Sequence, residues 1–447
     1  MLRVAVVGSG PAGFYAADAL LKSEEPNVEV DLLDRLPTPW GLVRLGVAPD
    51  HENIKAVSRA FEKTAAREGF RFFGNVEVGS SVTHDELLEL YDAVVYTVGA
   101  QTDRRLGIPG EDLPGSYPAT EFVAWYNGHP DFQDRTFDLS HERAVVIGNG
   151  NVAIDCARML ALTADELAPT DTTQDAMDAI AGAGLEEIVM LGRRGPVQAA
   201  FTPPELKELG ELENAEPIVD PAELVLDPAS ERERVADLQR AGRNYDLLKE
   251  YAAKPPQGKA RRIVLRFLVS PVAILGDGRV EAVEVVRNEL VEENGRLVAR
   301  PTGEMEVIPA GIVLRSVGYK GVALPGVPFD EKSGTIPNDG GRVAGADRTY
   351  VAGWIKRGPS GVIGTNKKDA TETVERLLED ARAGKLAATT PGDLAELLEG
   401  KGASFVEYEG WQAIDRAEKT AGEPLGRPRV KLTDWENLLE TGRRIPR

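Results

Sequence analysis

Short apolar runs alternate with helix-like stretches from the first residues onward. Leu2 to Val7 is apolar, a glycine-rich turn follows, the apolar positions around Phe14 to Leu21 have helical spacing, and Val28 to Leu33 is a second apolar run. That order predicts a strand, a turn, a helix and a second strand. Asp50 stands where it would cap a helix carrying Ile54, Val57 and Phe61 at spacings of three and four, and Asp92 to Thr97 reads as a further strand. Arg104 to Pro118, rich in Gly and Pro, reads as a connector.

At Arg143 the pattern starts again. Ala144 to Ile147 predicts a strand, a glycine turn leads into a helix through Leu160, and after a polar insert Ile188 to Leu191 predicts the next strand. Arg262 to Phe267 alternates apolar and charged residues, and Gly276, Asp277 and Gly278 offer a turn into Val280 to Val286, so an antiparallel hairpin is expected there. Residues 232–258 read as a charged, partly helical surface. Beyond Arg315 the chain is Gly-rich up to Lys368, a helix is expected from Ala370 to about Ala383, and the C-terminal tail shows helical patterns without an interpretable motif. A chain of 447 residues exceeds what one core supports. Two βαβ units, the second within the span of the first, predict an α/β fold of two Rossmann-like nucleotide-binding domains, one inserted into the other. The expected boundaries are 1–106 and 317–447 for the outer domain and 107–316 for the inserted one.

The first turn reads Gly8, Ser9, Gly10, Pro11, Ala12, Gly13, with Asp34 at the end of the next strand. Gly8 permits the tight turn, Gly10 lets backbone approach a pyrophosphate, Gly13 lets helix and strand lie close, and Asp34 would accept hydrogen bonds from ribose hydroxyls. The second turn reads Gly148, Asn149, Gly150, Asn151, Val152, Ala153, but Gly192, Arg193 and Arg194 stand where the acid would be. Two guanidiniums there suit a 2′-phosphate and hence NADP, the alternative being a solvated turn. Two nucleotide modules imply two cofactors.

The single cysteine, Cys156, excludes an internal dithiol and a cysteine-ligated cluster, so electrons are expected to pass through an organic cofactor. The formal net charge of −20 argues against nucleic acid as a general partner. No run approaches the roughly 20 apolar residues of a membrane span. One cysteine and a first segment unlike a secretory signal point to the cytoplasm.

Several further motifs carry a resemblance. Pro39, Trp40, Gly41, Leu42, Val43 and Arg44 lead to Ala48, Pro49, Asp50 and His51; Gly148 to Asp155 and Gly192 to Phe201 follow; Gly353, Trp354, Ile355, Lys356, Arg357 and Gly358 continue to Thr365, Asn366, Lys367 and Lys368. On these the chain resembles, over nearly its whole length, the adrenodoxin reductase-like ferredoxin-NADP reductases, particularly the actinobacterial type. The resemblance implies an outer FAD domain, an inserted NADP domain, hydride transfer from NADPH to FAD, and single-electron delivery to a ferredoxin. It implies that Ala12, Asp34, Leu42 and Val78 contact FAD, and that Trp354 with Gly361, Val362 and Ile363 closes the isoalloxazine end. Glu205 and Gly361 are implied for NADP, and His51 and Glu208 for the nicotinamide end, where they would tune hydride and proton traffic. By position alone His51 also fits a plain surface residue in a first helical turn. Because ferredoxins are usually acidic, Lys356, Arg357, Lys367 and Lys368 are expected at the docking face, or alternatively in solvent or on NADP. An electron-input subunit similar to that of glutamate synthase, a flavin monooxygenase and a flavin-binding redox sensor remain as other readings; the first lacks its cluster cysteines here.

Overall fold

The computed structural model describes residues 1–361, 363–386 and 392–443. The chain divides into two compact units, one formed by Met1–Thr102, Asn127–Gln133 and Gly318–Arg447, the other by Asp103–Tyr126 and Asp134–Val317.

In the first unit the strands Thr349–Val351, Ala93–Tyr96, Leu2–Val7, Val28–Leu33 and Phe70–Phe73 lie side by side in that order, all parallel, with Leu2 opposite Val28 and Val7 opposite Leu33. A small antiparallel pair, Arg342–Val343 and Asn338–Asp339, extends one edge. A parallel sheet is covered on both faces, which is why its strands are mostly apolar, with Arg3, Glu29, Asp31 and Arg71 the charged residues among Leu2–Val7, Val28–Leu33 and Phe70–Phe73. Val4, Val6, Val30 and Leu32 pack with Phe14, Ala17, Phe61 and Val374 on one face, while Ala5, Val7, Leu33 and Val94 pack with Leu87, Tyr91 and Leu394 on the other. The chain leaves Leu2–Val7 toward one side for Val28–Leu33 and later returns to its other side at Ala93–Tyr96. Such a reversal opens a crevice at the carboxyl ends of the strands.

The second unit has a six-stranded parallel sheet in the order Ser116–Pro118, Ile312–Arg315, Arg143–Ile147, Glu187–Gly192, Arg261–Phe267, Ala215–Val219. Ala144 and Val146 face the helices Ala119–Tyr126 and Asn151–Ala161, and Val145 and Ile147 face a three-stranded antiparallel sheet of Val269–Leu275, Ala282–Glu293 and Arg296–Pro309.

Three expectations are corrected here. Arg262–Phe267 is not a hairpin arm but the parallel strand between 187–192 and 215–219; the left-handed turn at Leu268 (φ 57) redirects the chain, and Val269–Leu275 takes the hairpin role. The alternation that suggested a hairpin arises because Arg266 pairs with Glu223 and Glu306. The single helix expected after Asp50 is two, Glu52–Lys55 and Ser58–Ala65, and the N-cap position of the first falls on His51, which makes no side-chain capping bond, rather than on Asp50. The helix expected from Ala370 begins at Ile363 and runs to Arg382; its first turns hold Gly364 and two lysines, which hide the apolar period.

Candidate functional site

The glycine turn of the first unit is built for close backbone approach. Pro11, with its fixed φ, opens the helix Pro11–Leu21 directly after Gly10. Gly8 (φ 104) lies so near the next strand's end that a Cβ would sit 2.7 Å from the Thr97 carbonyl oxygen, and a Cβ on Gly13 would sit 1.9 Å from that of Gly8. Thr97 Oγ1 donates to the Gly8 carbonyl at 2.7 Å and fixes the turn. Over the turn lies the Trp40–Gly41 segment: Trp40 N donates to Ser9 O at 2.9 Å, and a Cβ on Gly41 would meet Gly10 Cα at 2.9 Å.

Asp34 ends its strand beside this turn. Its carboxylate accepts from Ser9 N at 2.8 Å, from Ser9 Oγ, and from Leu36 N at 2.9 Å. Burial raises the Asp34 carboxyl above the ordinary range, against the lowering pull of the Ser9 and Leu36 bonds. The acid therefore organises the loop itself. Ala12 is buried, and a Cβ on Gly353 would meet its own at 2.7 Å, so the Gly353–Trp354 turn packs against the same helix start. Asp369 accepts from Gly353 N and pairs with Lys356 Nζ at 2.9 Å. Leu42 is 40% exposed. Val78, in contrast, is buried in the core with Phe73 and Val82. Gly361 is exposed, with φ 80, and Ile363 is the first residue of the long helix. Val362 lies outside the described residues.

An aromatic, hydrogen-bonding cofactor suits these residues by an independent sign. The indole Nε1 atoms of Trp40 and Trp354 are buried with no hydrogen-bond partner among the described residues, and buried donors are rarely left so.

The turn of the second unit shares the geometry and differs in what surrounds it. A Cβ on Gly148 would sit 2.2 Å from Ser316 O, whereas one on Gly150 would meet nothing within 4 Å, which leaves room for a phosphate. Asn151 Oδ1 accepts from Thr202 N at 2.9 Å, and the Asn149 carbonyl accepts from Ala200 N and Phe201 N. The segment after Gly192 is thereby folded back onto the turn and carries the helix Pro203–Glu208, with Glu205 in its first turn. Val152, the second residue of the helix Asn151–Ala161, is partly buried.

Arg193 is exposed; Arg194 is half-buried, its Nη2 3.4 Å from Gln198 O, and burial followed by Arg193 lowers its pKa. Cationic groups that raise each other's energy suit an anion. Glu208 is held by Arg158 Nε at 3.5 Å, and Arg158 is itself buried and paired to Asp155 at 3.0 Å. His51 belongs to the first unit and Glu205 and Glu208 to the second.

Two features were hidden in the sequence. The C-terminal tail supplies Trp411, Glu418, Arg429 and Lys431, all buried or nearly so, to the back of the Trp40–Arg44 segment. Lys356 and Arg357, expected at a docking face, are instead committed internally: Lys356 to Asp369 and Thr373, Arg357 to Asn366 at 2.7 Å. Lys367 and Lys368 are exposed as expected. Among the described residues no helix is long and apolar enough to cross a membrane.

The pattern of the pyridine nucleotide-disulphide oxidoreductase family matches residues 2–190. The chain is 52% identical to NADPH-ferredoxin reductase FprA of Mycobacterium leprae (strain TN), over 98% of each. It is 42% identical to the mitochondrial NADPH:adrenodoxin oxidoreductase of Arabidopsis thaliana, over 98% of this chain and 95% of that one. A solved structure of Mycobacterium tuberculosis FprA in complex with NADPH has a TM-score of 0.95 and 51% identity, covering 99% of both chains. On sequence, fold and two-module organisation together, the chain belongs to the adrenodoxin reductase-like ferredoxin-NADP reductases.

Proposed function

We infer that this protein is an NADPH-dependent flavoenzyme that passes electrons from NADPH, by way of FAD, to a ferredoxin-type iron-sulfur protein. The observation that carries the reading is the pair of unlike glycine-turn modules, one ending its second strand in Asp34 and the other in Arg193 and Arg194, in a chain 52% identical throughout to an NADPH-ferredoxin reductase. FAD, when bound, accepts a hydride and releases electrons one at a time.

The chain's residues bind and orient. We assign Gly8, Gly10, Ala12, Gly13 and Asp34 to the nucleotide half of FAD, with Leu42, Trp354, Gly361, Val362 and Ile363 toward its ring; Val78 is a lesser member of this set because it serves the core. Gly148, Gly150, Asn151 and Val152 would take the NADP pyrophosphate, Arg193 and Arg194 the 2′-phosphate, with Glu205 also on NADP and Gly361 at its nicotinamide end. His51 and Glu208 remain the candidates to adjust proton and charge balance there, Glu208 with its carboxylate oriented by Arg158. The outer-domain and inserted-domain division at 106 and 317 is part of the same proposal, as is a cytoplasmic location for an enzyme without an internal disulfide.

NADPH should bleach the flavin of the purified protein anaerobically, and a ferredoxin should then be reduced faster than a free dye background. Absence of that second step, with bleaching intact, would overturn ferredoxin as acceptor; absence of both would favour a redox sensor. Charge reversal at Lys367 and Lys368 should slow ferredoxin reduction while sparing bleaching, since a docking face acts through charge complementarity.

A further inference from the structure

We propose that Glu418 is a positioning residue for the FAD site: from the helix Tyr408–Gly422 of the C-terminal tail its carboxylate grips Arg44 and so holds the Trp40–Gly41 turn against the phosphate-binding glycine loop. This rests on the flavoenzyme reading above.

The turn needs an external hold. Trp40 has φ 85, a conformation that a bulky side chain adopts only where its surroundings impose it, and it is followed by Gly41 at φ 51. Trp40 meets the edge of Trp411 with ring centroids 4.8 Å apart, and the Arg44 guanidinium lies 5.2 Å over the same Trp411 ring. Arg44 Nη1 donates to Glu418 Oε2 at 2.9 Å and Nη2 donates to Oε1, in the two-pronged geometry that fixes direction as well as distance. Glu418 is fully buried and also accepts from Arg429 Nη1 at 3.0 Å and Leu432 N at 2.9 Å. Lys431 Nζ donates to the Arg44 carbonyl at 3.2 Å, so the tail holds this segment by backbone as well as by side chain.

A buried ion pair is a poor way to add stability but a good way to specify one arrangement. Burial alone would raise the Glu418 carboxyl, yet Arg44 and Arg429 keep it below its ordinary range, so it is ionised. The arrangement it specifies reaches the glycine loop in two steps, through Trp40 N to Ser9 O and through Gly41 against Gly10 Cα. A small displacement of Arg44 therefore moves the roof of the loop that is to receive a pyrophosphate.

The test uses the full-length holoprotein. Glu418→Gln keeps the size and one acceptor but loses the charge; FAD release on dilution, followed by the fluorescence of the freed flavin, should quicken about tenfold or more, as suits loss of one member of a buried pair. The visible circular dichroism of the bound flavin should change, and binding of 2′,5′-ADP should not. Glu418→Asp should partly restore both flavin signals. A variant with lowered thermal stability but wild-type release rate and dichroism would overturn the proposal, since a merely structural role predicts that pattern. If Glu418→Gln does not accumulate folded, Trp411→Phe, which removes part of the Arg44 and Trp40 support, decides by the same two readouts. A wild-type chain that carries no flavin would instead overturn the functional reading beneath it.

Discussion

The two glycine turns begin alike and are finished differently. In the first unit the turn is roofed by Trp40 and Gly41, pinned by Thr97, and backed by a buried Arg44, Glu418 and Arg429 network. In the second unit the space over Gly150 is open, and the exposed Arg193 and half-buried Arg194 follow the neighbouring strand Glu187–Gly192. On the proposed reading, the same strand-turn-helix start serves a retained FAD in one place and an exchanging NADP in the other. What surrounds the turn, not the glycine spacing, makes the difference.

That contrast breaks most visibly at the glycines. Gly13→Ala places a methyl against the Gly8 carbonyl oxygen, which is backbone and cannot swing aside; a loss of about 3 kcal/mol in unfolding free energy, together with loss of FAD, is expected. Gly150→Ala should leave the fold within about 0.5 kcal/mol of wild type, because nothing stands within reach of its methyl. It should nonetheless raise the Michaelis constant for NADPH by crowding the pyrophosphate. Denaturant melts and steady-state kinetics check both, and equal destabilisation by the two substitutions would erase the distinction.

The arginines sharpen the comparison next. Arg193→Ala with Arg194→Ala should cost ~2–4 kcal/mol in kcat/KM for NADPH relative to NADH, the worth of two charge-assisted bonds. Equal losses with both nucleotides would mean that these side chains hold structure. On the other side, if Asp34 meets the ribose as proposed, Asp34→Ala should weaken FAD retention by about 1.5–3 kcal/mol, and hydrogen exchange should show the Ser9 and Leu36 amides loosened, because the acid orders the loop.

The smallest effect concerns pH. In the first unit burial pushes His129 down to about 4 from an ordinary 6.5, and its Nδ1 accepts from Asp131 N at 3.2 Å, which a protonated ring cannot do. Between those values the unfolded chain binds a proton that the folded chain refuses. Stability is therefore complete above pH 6.5 and falls as pH drops toward 4, by roughly 1–2 kcal/mol after discounting for solvent screening. Thermal melts of the wild type and of His129→Gln should diverge in that window, with the variant flatter.

Whatever is local and periodic was legible in the chain. The strands Leu2–Val7, Val28–Leu33, Arg143–Ile147 and Glu187–Gly192 stand where apolar runs predict them, because a parallel sheet buried on both faces requires such runs. The glycine turns were legible for a steric reason: a Cβ at Gly8, Gly13 or Gly148 would collide with backbone. The positions of Asp34, Arg193 and Arg194 just past strand ends were legible as well. What the tertiary structure alone decided is whatever depends on partners far along the chain. Arg261–Phe267 joined the parallel sheet rather than a hairpin because its neighbours are 187–192 and 215–219. Lys356 and Arg357 turned inward because Asp369 and Asn366 are there to receive them. The tail looked featureless because a lone Glu418 in an amphipathic helix has no signature, and its meaning lies in Arg44, 374 residues away. Periodicity records which face of an element is buried; it carries no information on which buried charge meets which, since that choice is made only when the two surfaces pack.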